Sequence, residues 1–143
     1  MPYHFREDIA IADVAFEASG KTIEEMFESA ALATTHTMVK DLATVKPQKT
    51  KKIKIENAQL DRLLHDFLQE LIFEKDAHLL LFSSYQIMIE QKAPGYQLQA
   101  ICKGEPLDMK KHELLVDVKA VSWHLFKVAQ EKGYWIAFVI LDV

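Results

Sequence analysis

Residues 57–103 read NAQLDRLLHDFLQELIFEKDAHLLLFSSYQIMIEQKAPGYQLQAICK, and the spacing of the apolar residues changes within this one stretch. In its first half Leu60, Leu63, Leu64, Phe67, Leu68, Leu71 and Ile72 recur at i, i+3 and i+4, the stripe of an amphipathic α-helix. Asp61, Arg62, Asp66, Gln69 and Glu70 fall on the wet side. Asn57 reads as the N-cap, which predicts a helix over 57–74. In the second half, residues 82–91 and 96–103 alternate as half-buried strands do. Only Ala93-Pro94-Gly95 and its immediate neighbours separate them, too few residues for a parallel crossover, so the two runs pair antiparallel.

The same two periods organise the rest of the chain. Thr22 precedes Ile23, with Glu25 three residues on, a capping-box pattern, and Ile23, Met26, Phe27, Ala30 and Ala31 follow on one face. A helix over 22–39 is predicted. Further strands are expected at 12–18, 51–55, 114–121, 123–128 and 135–143, the last two joined by the hairpin-length Glu131-Lys132-Gly133. The fold class is α+β: a single domain over 1–143, with two helices on one face of a mainly antiparallel sheet.

The chain has 143 residues, half of them apolar, enough to bury a core without disulfides or a structural metal. One cysteine, Cys102, excludes an internal disulfide framework, and no secretory signal pattern opens the chain, so the expected location is cytoplasmic. No apolar run approaches the roughly 20 residues of a membrane span. A net charge of −4 argues against a protein built to wrap nucleic acid, so any RNA role is expected to be indirect. The basic segment 46–54 has five lysines but no interleaved aromatic for base stacking, and reads as a solvated loop leading into a strand.

Asp13 and Asp142 stand out because each interrupts an apolar neighbourhood, Asp13 near Ile11, Val14 and Phe16, and Asp142 between Leu141 and Val143. Two strand-end carboxylates, with the terminal carboxylate of Val143 beside one of them, would form an oxygen-rich site for a hard cation. The same spacing also suits exposed edge or turn aspartates. Lys119 shares a strand face with Val121, so its ammonium must reach water or pair with a carboxylate. His124 is open to acid–base chemistry or to a plain surface role. The remaining histidines lack zinc-ligand spacing, and Gly20-Lys21-Thr22 is a strand-to-helix turn without the upstream glycine of a phosphate-binding loop.

Several motifs in order resemble the archease family, small partners of RtcB-type RNA ligases in tRNA splicing and RNA repair. They are Ala12-Asp13-Val14; Gly20-Lys21-Thr22-Ile23-Glu24-Glu25-Met26-Phe27; Gly104-Glu105-Pro106-Leu107-Asp108 with His112-Glu113; Val118-Lys119-Ala120-Val121-Ser122-Trp123-His124; and Val139-Ile140-Leu141-Asp142-Val143. The resemblance implies an activator that promotes ligase guanylylation and turnover, with a divalent cation, Ca²⁺ foremost, at Asp13, Asp142 and Val143, and with Lys119 and His124 facing the ligase. The chain departs from the family pattern at Ala10, where a histidine is usual. The alternatives are a stand-alone carboxylate–metal hydrolase and an interaction or chaperone-like module with a structural metal.

Overall fold

A computed structural model describes residues 2–7 and 13–143. Strand β1 (Tyr3–Phe5) and strand β2 (Val14–Gly20) lead into helix α1 (Ile23–Met38). A 3₁₀ turn at Leu42–Thr44 and strand β3 (Lys49–Asn57) precede helix α2 (Leu60–His78). Strands β4 (Leu80–Lys92), β5 (Gly95–Pro106), β6 (Ala120–Val121), β7 (Lys127–Glu131) and β8 (Tyr134–Asp142) complete the chain.

All pairings are antiparallel, but they build two sheets where one was expected. The first has the order β1-β2-β8-β6, with β7 also on β8; the second is β3-β5-β4. Helix α1 explains the division, because it packs against both β2 and β4. An amphipathic stripe would cover one layer, yet α1 buries Ser29, Ala30, Ala31, Ala33, Thr34, Thr35, Thr37 and Met38, well over half its girth. Small side chains allow this close approach, and their hydroxyls return to the helix: Thr34 Oγ1 donates to the Ala30 carbonyl, and Thr37 Oγ1 to that of Ala33, each at 2.9 Å.

The helix termini show how local chemistry sets the boundaries. Thr22 accepts the Glu25 N–H at 3.1 Å, and the Glu25 carboxylate accepts the Lys21 N–H at 2.8 Å, so the predicted cap is realised one residue upstream of its usual reciprocal partner. The second cap is a correction. Asn57 ends β3 instead of starting the helix; its Oδ1 accepts the Gln59 N–H at 3.1 Å and its Nδ2 donates to Asp66 at 2.9 Å. Helix α2 therefore begins at Leu60 and runs past Glu74 to His78, ending on Leu79 in the left-handed conformation. Its apolar stripe is core as predicted, with Leu63, Leu64, Phe67, Leu68 and Ile72 buried.

Two expected strands are corrected. Of 114–121 only Ala120–Val121 is strand, apart from an isolated bridge between Val39 and Leu114. Of 123–128 only the end is, since residues 124–125 form a turn and β7 starts at Lys127. Both hairpins form: Lys92 pairs with Gly95, and Glu131 pairs with Tyr134 across Lys132 and Gly133. Both central residues of the second turn have positive φ, the type I′ geometry that suits twisted strands. Cys102 lies in β5, buried, its thiol pushed up to about 12 by desolvation and secondarily by the Glu74 charge.

Gly104 pairs with Phe82 across the β4–β5 ladder, beside a register shift between Phe82 and Ser84. A Cβ on Gly104 would lie 1.7 Å from the Leu81 carbonyl oxygen. Gly104→Ala must therefore displace backbone, and it is expected to lower stability by about 3 kcal/mol, read as a reduced urea midpoint at unchanged slope.

Candidate site at the carboxyl end of the central strand

Strand β8 is the hub of the larger sheet, bordered by β2 on one side and by β6 and β7 on the other. Its register with β2 runs from Gly20–Trp135 to Val14–Leu141. One residue beyond that last pair stand Asp13 on one strand and Asp142 on the other. The sheet thus brings the two aspartates from opposite ends of the chain to the same end of neighbouring strands. Asp13 is exposed, whereas Asp142 and Val143 are partly buried, with Val143 packing against the core.

The third segment to arrive is β6, where Ala120 pairs with Asp142 and the Lys119 N–H donates to the Asp142 carbonyl at 2.8 Å. Lys119 is accordingly tied to the tip through its backbone. Its ammonium is exposed and forms no ion pair among the described residues. His124 is carried elsewhere. From Ala120 the chain runs away from the tip, with the Ser122 N–H bonded to the Ile140 carbonyl, and exposed His124 sits in the turn beyond. Ala10, Ile11 and Ala12 lie outside the described residues.

Sequence reasoning missed what holds this tip in place. The edge of α2 supplies it. His65 bonds the Val121 carbonyl at 2.9 Å and stacks on Trp123 with ring centroids 3.7 Å apart and planes 4° from parallel. The side-chain oxygen of Gln69 accepts the Val121 N–H. Lys75, buried on the same helix, donates to Asp117 and to the Val118 carbonyl at 2.6 and 2.8 Å, and also pairs with Asp76. These polar side chains, two of them four residues apart, border the apolar stripe, and that flanking pattern is the signal that could have shown them. Burial pushes the His65 imidazole below its ordinary value, favouring the neutral ring.

A second anchor fixes the long segment between β5 and β6. The Glu105 carboxylate, only 5 % exposed, accepts Lys111 Nζ at 2.7 Å, the Lys46 N–H at 2.8 Å and His112 Nε2 at 3.0 Å. His112 Nδ1 accepts the Asp108 N–H, so the proton is on Nε2 and points at Glu105. Lys111 foremost, with the Lys46 amide, holds the Glu105 carboxyl down to about 2.

The side-chain donors that the register sets at the tip, Asp13 and Asp142, are both carboxylates, the ligand type that hard cations take. Among the described residues no three His, Cys, Asp or Glu side chains cluster as metal ligands, so Asp13 and Asp142 supply at most two side-chain ligands. Among the described residues no helix is long and apolar enough to cross a membrane.

Residues 3–143 match the model of the archease protein family (MTH1598/TM1083). The chain is similar to the protein archease of Methanopyrus kandleri, 34 % identical over 92 % of this chain and 94 % of that one. The archease of Thermococcus gammatolerans is 35 % identical over 92 % and 93 %. The solution structure of Methanobacterium thermoautotrophicum protein 1598 superposes with a TM-score of 0.87 at 34 % identity, covering 99 % of both chains. A Thermotoga maritima archease, described as a possible chaperone, shares the fold with a TM-score of 0.62 at 20 % identity over 98 % of both chains.

The Glu105 anchor has a definite pH signature. Its folded carboxyl lies below the ordinary 4.5, so its stabilisation is complete above that value and is lost as pH falls through about 2. The gap in urea midpoint between the wild type and Glu105→Gln is expected to be widest near neutrality and to close between pH 4.5 and 2. A gap that does not narrow over this range contradicts the assignment.

Proposed function

The chain belongs to the archease family, and from that premise we propose that it activates an RtcB-type RNA ligase, promoting guanylylation and turnover through a divalent cation held at the tip of β8. The observation that carries this reading is the convergence of Asp13 and Asp142 one residue beyond the Val14–Leu141 pair. Carboxylates on adjoining strand ends repel one another unless a cation or proton lies between them, and both are dispensable for the core. Ca²⁺ is the foremost candidate because it tolerates irregular shells of 6–8 oxygens and would complete them with main-chain carbonyls and water.

The chain's own residues divide the work. Asp13 and Asp142 hold the ion and are within reach of a partner's surface, because the tip is the open end of the sheet. Val143 follows Asp142 directly, its side chain packed on the core, and its main-chain oxygen would be a further ligand. Lys119, fastened by its N–H to Asp142, extends an exposed ammonium that suits a phosphate-rich pocket on the ligase. His124, displaced along the chain, serves as a peripheral contact. RNA enters this reading through the ligase.

Asp13→Ala and Asp142→Ala are each expected to abolish stimulation of ligase guanylylation and to weaken Ca²⁺ binding in calorimetry by at least about tenfold, since each removes a charged ligand. Stability should change by no more than about 1 kcal/mol in urea melts. Asp61→Ala, on the first turn of α2, should leave stimulation unaltered. Stimulation at the wild-type level by both tip variants overturns the reading.

A further inference from the structure

The outer face of the three-stranded sheet is covered by neither helix. On β3, β5 and β4 the residues Ile53, Ala100, Cys102 and Tyr85 point into the core, so their alternating neighbours point outward. The registers arrange those neighbours in cross-strand rows. Lys103 faces Thr50, Lys52 faces Ile101 and then Gln86, and Lys54 faces Gln99 and then Met88. A groove of about 550 Å³ lies over the last two rows.

Three properties of this face single out one class of ligand. Lys103 on β5 and Lys52 and Lys54 on β3 occupy successive rows two residues apart, about 7 Å along the strands, and none of the three ammonium groups has an ion pair or hydrogen bond among the described residues. The carboxylates of the face, Glu56 and Glu90, flank Gln97 in the row after Lys54, so the face is cationic toward Lys103 and Lys52 and acidic at its other end. A protein of net charge −4 thus carries a local cluster of lysines at one end of this face, which suits an anionic partner. Between the lysines lie Met88, 61 % exposed, whose thioether makes favourable contacts with aromatic rings, and the aliphatic Ile101. Gln86 and Gln99 add amides that both donate and accept.

We propose that this face binds single-stranded nucleic acid, with phosphates along the lysine row, base faces over Met88 and Ile101, and base edges at Gln86 and Gln99. A polynucleotide uses all three features together. An acidic peptide also meets the lysines, and competition by poly-glutamate distinguishes it from a polynucleotide. In sequence, residues 46–54 read as a solvated loop leading into a strand, with no interleaved aromatic; pairing with β5 and β4 adds the third lysine, the thioether and the amides, none of which is near in sequence. The proposal goes beyond ligase activation and stands apart from it, since binding is measured with no ligase present.

The test is fluorescence anisotropy of the full chain with unstructured labelled strands of about 16 nucleotides, RNA and DNA in parallel, at several salt concentrations. Wild type is expected to bind, with log affinity falling against log salt at a slope near −2, as about 0.7 per neutralised phosphate gives for three lysines. Lys52→Glu with Lys54→Glu, and the milder Lys52→Gln with Lys54→Gln, should weaken binding at least about tenfold and about threefold respectively. Lys21→Glu, on the strand-to-helix turn, should leave it unchanged. The proposal is overturned if the wild type binds neither strand at low salt, if the double variants bind as the wild type does, or if poly-glutamate competes as well as RNA.

Discussion

The pairing of β2 with β8 over seven residues is the constraint on which the rest of the molecule depends. It joins the beginning of the described chain to its end, and it buries Phe16, Ala18, Ala137, Val139 and Leu141 against the helices. The alternation of a strand allows no half-step, because a slip of one residue would turn this apolar set outward. The register is therefore held by the whole core. Asp13 and Asp142 inherit their positions from it, without needing any attraction between themselves.

Helix α1 imposes the second condition. A helix buried on most of its circumference must be thin, and its run of Ala, Ser and Thr meets that need while the hydroxyls bond within the helix. One sheet closes on each side. The outer face of the smaller sheet is thereby left to solvent, while the larger sheet turns its open end toward any partner. Helix α2 is polar along one border, where His65, Gln69 and Lys75 secure the irregular segment leading into and out of β6. A two-residue edge strand has little stability of its own, so this helix border is what keeps Lys119 beside Asp142.

Much of this was legible in the residues. The stripe from Leu60 to Ile72, the Thr22 cap and the two hairpin turns are local signals, and each appears in the structure where periodicity or turn chemistry placed it. The two sheets were not legible, because nothing in an alternating run says which other run it joins, and the small residues of α1 look like a weak helix face. Asn57 misled since the same Asx chemistry serves a turn as readily as a cap. Residues 114–118 and 123–126 alternate like strands, yet beyond the single bridge of Leu114 to Val39 they are held by Lys75 and by the His65–Trp123 stack. At the candidate site the two strand-end aspartates were legible as residues, and the β2–β8 register sets each one position beyond the same pair. The remoteness of His124 was not, because it follows from a turn in the chain.

The burial of Cys102 has a practical consequence. Alkylating reagents and disulfide exchange act on the thiolate, and a thiol pushed up to about 12 inside the core offers almost none at neutral pH. The native fold is thus chemically silent toward maleimides, and a cysteine introduced at an exposed position becomes a unique attachment point with the natural one left in place. Dyes or spin labels set on the sheet face and at the tip would report on each surface separately, and delayed reactivity of Cys102 itself would time the opening of the core.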